Sequence, residues 1–299
     1  MSKPALADTT PVLTKTDPSS PALIVTSHTT IAVKAGTVFC GRAFAEQTQV
    51  KLPDGGLEAG ADYAVVAVDA SPAALKLIGP PTGDLHLGGF HFAPGGNATA
   101  RSGGDEIPAI NPCSVWDLTF RPACPDPRGM TLIDVPGRRF WSDIYLLGAD
   151  HLAGTSRFGA TIADGNDPPQ KPDNRRFKKL DYETAVSVMA HHGKGLLGAE
   201  EFFAATFGVT ERTAHDGDPR VTKLDARRTS RFGLIQATGN LWVWGHDGDP
   251  DMPRASLFGG SWWNGGNAGS RYADVAYGWP EGSDGSFGAR GRGDHLQLA

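Results

Sequence analysis

The chain has 299 residues and sets 28 Lys and Arg against 33 Asp and Glu, a formal net charge of -5. That balance argues against nucleic-acid binding, which needs a basic patch to neutralise phosphates. Three cysteines, Cys40, Cys113 and Cys124, cannot all pair and exclude a disulfide framework. The lack of a signal-peptide pattern or a membrane-length apolar run predicts synthesis in a reducing cytoplasm, or exit from the cell by a route other than a signal peptide, without membrane insertion.

Residues 1–20 are polar, contain Pro and lack periodicity, as expected of an arm that orders only on a partner. From residue 21 the pattern changes. ALIVTSHTTIAVKAGTVFCG holds β-branched runs broken by Lys34-Ala35-Gly36, which predicts two short strands joined by a turn. DYAVVAVDA and AALKLIG continue in the same style, with PDGG and PPTG as turn signals. Residues 21–110 therefore read as a small all-β domain, whose many strand edges are of the kind often resolved by oligomerisation.

Pro108 and Pro112 in DEIPAINPCSV mark the boundary to a second domain, residues 111–299. Its start is Pro-rich, with a strand expected at Phe140–Leu147. Asp181 is a good N-cap for a helix in which Tyr182, Ala185, Val186 and Met189 recur at helical spacing. A second helix is expected in GAEEFFAATFG, with Glu200 and Glu201 in its first turn and Gly208 placed to end it at C′. Beyond Val221 the helical signal stops, and the long loops that follow are of the functional kind.

Several chemical motifs reduce to plain readings. Arg175, Arg176, Lys178 and Lys179 form a short cluster expected to be a solvated loop. His191 and His192 are adjacent on a helix, face different ways, and read as helix-end histidines. Asp247, Asp249 and Asp251 alternate as in a calcium loop, but Met252 and Phe258 stand where an EF-hand needs Gly and Glu. A solvated turn is expected there, with an irregular Ca²⁺ site as the alternative. Arg292-Gly293-Asp294 spells an adhesion tripeptide that three residues reach by chance. GFHFAPGG and GGNAGS lack the lysine and context of a phosphate loop, and neither a nucleophile elbow nor a based cysteine at Cys113 or Cys124 is apparent. No catalytic residue, metal or cofactor is expected.

The segment from Ser256 to Ala299 is the most informative. Five of the seven tryptophans lie between Trp242 and Trp279, and the segment mixes Gly, Trp, Tyr, Asn, Ser and Asp without periodicity. That is the composition of a binding surface: Gly for tight loops, small polar groups for adaptable hydrogen bonds, rigid aromatics for contact area. The alternative is a loop-rich core that buries Trp263, Tyr277 and Trp279.

FGLIQATGNLWVWGHD, LFGGSWWNGGNAGSR and GARGRGDHL, in that order, resemble the C-terminal domain of phage tail-fibre adhesins of the major tropism determinant type, the variable proteins of diversity-generating retroelements. NPCSVWDLTFRPACPDPRGMTLI and FWSDIYLLGADH resemble the first half of that domain. The resemblance covers residues 111–299 and implies an α+β, C-type lectin-like domain related to formylglycine-generating enzymes. A β-prism-like trimerising or attachment domain over residues 21–110 follows by analogy only.

In such proteins fixed scaffold alternates with displayed positions. Gly259, Gly260, Trp262, Gly269, Ser270, Arg271, Gly288, Ala289, Arg290, Gly291, Asp294, His295 and Leu296 match the scaffold and are expected to be buried. Trp263, Asn264, Asn267, Tyr272, Asp274, Ala276, Tyr277, Trp279, Glu281, Asp284 and Ser286 match the displayed, receptor-binding positions. Gly293 departs from the family, which often has Cys before the Asp-His-Leu ending.

The resemblance implies a non-catalytic adhesin at a phage tail-fibre tip. Its partners would be a bacterial surface protein or glycan and, through the N-terminal region, other tail proteins; it would be a homotrimer in the virion. Two alternatives are a structural fibre or baseplate protein, and an oxidase of the formylglycine-generating kind. The second needs cysteines in the C-terminal half, and none follows Cys124.

Overall fold

A computed structural model describes residues 12–68, 71–81, 86–250, 254–275 and 279–297. The chain is mostly β, with two short α-helices among the described residues. Its strands are short because Gly, Pro and small polar residues interrupt the β-branched runs every few positions.

Three sheets occupy the first part. Leu23–Val25, Ile31–Val33 and Thr48–Gln49 form one; Leu13–Thr14, Thr37–Phe39 and Arg42–Phe44 form another. Lys34-Ala35-Gly36 thus does not close a hairpin. It carries the chain from one sheet to the next, while the hairpin partner of Ile31–Val33 is Leu23–Val25. The largest sheet centres on His86–Ala93, which pairs with Ala61–Val68, Ala109–Ile110 and Trp116–Asp117; Ser71–Lys76 extends it beyond Ala61–Val68. Gly88 and Gly89 permit this crowding, since a Cβ at either would collide with Trp116. Ile31, Val33, Phe39, Phe44, Val65 and Leu87 fill the core between these sheets.

The chain after Asp117 is joined to this core by buried polar contacts. The His91 ring lies between Asp62 (Nδ1–Oδ1 3.1 Å) and the Tyr145 hydroxyl (Nε2–Oη 3.0 Å), and Gly129 N–H donates to the same Asp62 oxygen at 3.0 Å. Met130–Val135 and Arg138–Asp143 form a hairpin that Arg292–Asp294 completes from the far end of the sequence. The expected strand at Phe140–Leu147 therefore starts earlier and stops at Asp143. It stops because the Asp143 and Ile144 carbonyls turn to the Arg290 guanidinium instead of to a neighbouring strand.

Helix α1, Tyr182–His191, starts where Asp181 accepts from Thr184 N–H at 3.0 Å, and buries Ala185, Val188 and Met189. Helix α2, Ala199–Ala205, is shorter than expected: after Thr206 N–H on the Phe202 carbonyl at 2.9 Å the ladder tightens, with Phe207 N–H on Ala204 at 3.3 Å. Gly208 lies beyond that turn, so it does not provide the C′ position.

Candidate binding surface

A four-stranded sheet with the order Ala273–Asp274, Ser256–Phe258, Trp242–Gly245, Phe287–Gly288 carries the terminal segment. Val243, Trp244, Leu257 and Phe258 are buried, and the Trp244 indole N–H reaches the Leu180 carbonyl at 3.2 Å. The connection from Phe258 to Ala273 and the one from Asp274 to Phe287 leave this sheet, and they hold all the candidate residues.

Backbone hydrogen bonds pin both connections at their bases. Gly259 N–H donates to the Tyr272 carbonyl at 2.7 Å, Gly269 N–H to Gly259 at 3.0 Å, and Trp262 N–H to Asn240 at 3.0 Å. Residues 262–264 form a 3₁₀ turn, in which the Asn264 Oδ1 accepts from Ser261 N–H at 2.7 Å and Ser261 Oγ at 2.8 Å. The second connection is held by Tyr182 N–H on the Pro280 carbonyl at 3.1 Å, the Ser283 hydroxyl accepting from Leu180 N–H at 2.9 Å, and Gly165 N–H on the Asp284 carbonyl at 2.9 Å.

On this frame Trp263 is 74% and Trp279 51% exposed, so a core role is excluded for both. Asn267, Asp274, Glu281 and Asp284 are also exposed. Tyr272, Asn264 and Ser286 are half-buried and already bonded within the segment. The Tyr272 hydroxyl donates to the Gly266 carbonyl at 3.0 Å, and Ser286 Oγ to Asp284 Oδ1 at 2.6 Å. Ala276 and Tyr277 lie outside the described residues.

Of the expected scaffold positions, Gly259, Gly260, Gly269, Ser270 and residues 288–291 are buried, while Trp262, His295 and Leu296 are partly so. Arg271 and Asp294 depart from the expectation, for both are exposed. Arg271 sits in a turn closed by Tyr272 N–H on the Gly269 carbonyl at 3.3 Å, and Asp294 ends a strand in which successive residues alternate in facing. Arg292-Gly293-Asp294 is a strand paired with Phe140–Ser142, and the Arg292 side chain bonds Glu201 and Asp294. It is not a displayed adhesion loop.

Arg290 is fully buried and closes the network beneath the surface. Its Nη1 donates to the carbonyls of Asp143 (2.8 Å) and Ile144 (2.6 Å), and Nη2 to those of Ile235 (2.8 Å) and Gln236 (3.1 Å). Burial brings its pKa down to about 10, with the Asp143 charge acting the other way, so the guanidinium stays charged. Asp143 also pairs with buried Lys194 at 2.6 Å; burial, the largest single influence, would lower the Lys194 pKa, but Asp143 together with Cys124 and Asp126 outweighs it and the pKa is raised.

The remaining motifs are structural in place. Asp247 accepts from Ala199 N–H at 2.6 Å and Ser256 Oγ at 3.1 Å, tying the acidic turn to the start of α2. Asp251 lies outside the described residues, among which no three His, Cys, Asp or Glu side chains are grouped to hold a metal. His192 leaves the helix end to bond His151, Nε2 to Nδ1 at 2.8 Å.

The sequence profile described as Mtd second domain matches residues 21–117. The tail fiber receptor-binding protein of Bordetella phage BPP-1 is 38% identical over 328 aligned positions, which take in 95% of this chain and 84% of that protein. The chain belongs to the major tropism determinant family. Solved structures of the major tropism determinant M1 and U1 variants each superpose with a TM-score of 0.86 at 37% identity, covering 96% of this chain and 86% of theirs.

The frame in this member of the major tropism determinant family includes residues that sequence reasoning did not single out. Asp225 accepts from Arg228 Nη1 at 3.0 Å and from Asn240 Nδ2 at 3.1 Å, and the Asn240 carbonyl receives Trp262 N–H. Asn240 stood in the frame ATGN as a residue before a buried strand. Asp225 and Arg228 pair locally, but their bonds to the rest of the frame, to Ala214 and Asn240, reach 14 and 15 positions through irregular chain and gave no signal.

Proposed function

We propose that the chain is a receptor-binding protein of a phage tail fibre, which grips a bacterial surface molecule through the two connections at residues 259–273 and 274–287. The reading is supported by one observation above others: a chain related over nearly its whole length to a tail fiber receptor-binding protein displays Trp263 and Trp279 on a rigidly pinned segment. Large exposed aromatics on fixed backbone are costly in water and fit hot spots, since little entropy is lost when a partner covers them. Trp263, Asn267, Tyr272, Asp274, Trp279, Glu281 and Asp284 form the contact set, with Asn264 and Ser286 at its margin and Ala276 and Tyr277 carried over from the family pattern.

Residues 111–299 form the C-type lectin-like, α+β domain of this proposal, akin to formylglycine-generating enzymes in fold alone. Residues 21–110 form the attachment domain; the expected arm over residues 1–20 is corrected in that Leu13–Thr14 pairs within this domain's sheet and Lys15 bonds buried Asp117, and the N-terminal region faces other tail proteins. A homotrimer presents three surfaces, so weak single sites gain avidity through effective concentration. Catalysis has no part in it, since cysteine-dependent oxidation needs thiols that the chain lacks after Cys124.

Adsorption of virions carrying Trp263→Ala or Trp279→Ala to cells that the parent phage infects tests the site. Loss of adsorption with an unchanged melting temperature is expected. Wild-type adsorption by both variants would overturn the assignment, as would cryo-electron microscopy showing both side chains covered by another virion protein. Light scattering behind size exclusion tests the trimer, and a mass near 31.5 kDa would rule it out.

A further inference from the structure

The segment from Gly259 to Ala273 is held by its own sheet on one side and, on the other, by a residue far away in sequence. The Glu211 carboxylate accepts from Ser270 N–H (Oε2, 3.1 Å) and, through Oε1, from the Ser270 hydroxyl. Both polar groups of one loop residue are thereby fixed by one side chain. The carboxylate takes the space where a side chain at position 269 would stand: Gly269 has φ +150°, and a Cβ there would collide with Glu211 Oε2. The fit is specific to a glycine followed by a hydroxyl residue, the pair found in this chain.

Glu211 is itself anchored from beneath. Thr210 N–H donates to the Arg227 carbonyl at 2.8 Å, and the Thr213 hydroxyl returns to the Thr210 carbonyl at 3.0 Å. Arg228, paired with Asp225, holds the carbonyls of Thr213 and Ala214, and His215 N–H donates to Gly239 at 2.7 Å. Between these anchors Arg212 takes a left-handed φ of 58°, a conformation that costs a non-glycine residue energy and persists where the surroundings fix it.

We propose that Glu211 is the positioning residue of the recognition surface: its carboxylate sets the register of the Gly259–Ala273 segment and thereby the presentation of Trp263, Asn267 and Tyr272. The proposal rests on the receptor-binding reading above. It makes the surface depend on a fixed residue outside the terminal segment, so the residues between Trp262 and Gly269 can vary while Gly269 and Ser270 keep the clamp.

Hydrogen exchange by mass spectrometry on the full-length protein tests the clamp without any receptor. Charge-assisted hydrogen bonds to two donors are lost in Glu211→Ala, so exchange over residues 261–272 should rise about tenfold or more, while strand Trp242–Gly245 stays protected. Ser270→Ala should raise it less, and the double variant no more than Glu211→Ala alone. Glu211→Gln, which keeps the shape and one acceptor, should restore part of the protection. Unchanged exchange in Glu211→Ala would overturn the proposal, and so would a rise spread equally through the core. Virion adsorption to cells infected by the parent phage separates the two levels. A loosened loop with reduced adsorption supports both, whereas a loosened loop with wild-type adsorption would overturn the role of this segment in recognition and the proposal with it.

Discussion

Trp262 and Trp263 stack with ring centroids 4.4 Å apart and planes inclined by 29°, although the first packs on the core and the second is 74% exposed. The inner indole backs the outer one, so the exposed ring is held without being covered. Trp263→Ala should cost less than about 1 kcal/mol of stability, as a surface change, and weaken adsorption by about thirtyfold, as loss of an aromatic hot spot does. Trp262→Ala should instead cost about 2 kcal/mol, below the range for a fully buried Trp because the ring is only partly covered. Urea denaturation beside adsorption separates the two. Equal destabilisation by both would mean that the stack, and not the contact with the core, carries the stability.

Arg290 gives the strongest expected effect on folding. Arg290→Met fills much of the volume but removes the guanidinium from the carbonyls of Asp143, Ile235 and Gln236, and from that of Ile144, which keeps the Ile235 N–H at 2.9 Å. Breaking such a buried set costs about 3–5 kcal/mol, a large part of a stability of roughly 5–15 kcal/mol. Arg290→Lys keeps the charge but offers a single nitrogen, so it should recover only a minor share. A urea midpoint for Arg290→Met within error of wild type would show that the carbonyls find other donors.

The candidate surface was legible in the sequence because its two sets of residues obey opposite physics. Gly259, Gly269 and Gly288 mark backbone approach, Arg290 a buried network, and Trp263 and Trp279 displayed area among small polar residues. Helix α1 was legible from its cap and from Ala185 and Met189, although Val186 is exposed and Val188 takes its place in the core. Arg271 and Asp294 were misplaced because motif membership says nothing of which way a residue faces. The sheet switch at Lys34-Ala35-Gly36 was missed because a turn signal fixes where the chain bends and not which strand it next meets. Glu211, Asp225 and Arg228 act through irregular chain, where no periodicity points to a partner.

Asn264 tests the difference between closing a turn and touching a receptor. Its Oδ1 accepts both Ser261 donors. Asn264→Ala should therefore lower stability by about 1 kcal/mol, the usual cost of a lost cap. If turn closure is its whole role, Ser261→Ala, which removes one of the two bonds, should reduce adsorption by a smaller amount in the same direction, in step with loop exchange. An Asn264→Ala defect in adsorption with unchanged loop exchange would place the side chain in the contact itself.

The histidines at the end of α1 set an acid limit. The Gln170 carbonyl accepts from His151 Nε2–H at 2.7 Å, so His151 Nδ1 accepts from His192 Nε2–H, and the bond requires a neutral His151 while His192 donates in either state. Burial, then the neighbouring His151 and Lys194, push the His192 pKa down to about 4. The His151 pKa is lowered as well, first by burial. An unfolded histidine titrates near 6.5, so the unfolded chain binds the extra proton first. The contribution of this pair is complete above about pH 6.5, falls as the pH drops toward about 4, and is flat for His192 below that. Because the His192 ring is only half-buried, solvent screening reduces the loss to about 1–2 kcal/mol. His192→Gln can still donate to His151 but cannot titrate. Its urea midpoint should fall less than that of wild type between pH 7 and pH 4, and parallel profiles for the two proteins would assign the acid sensitivity to other groups.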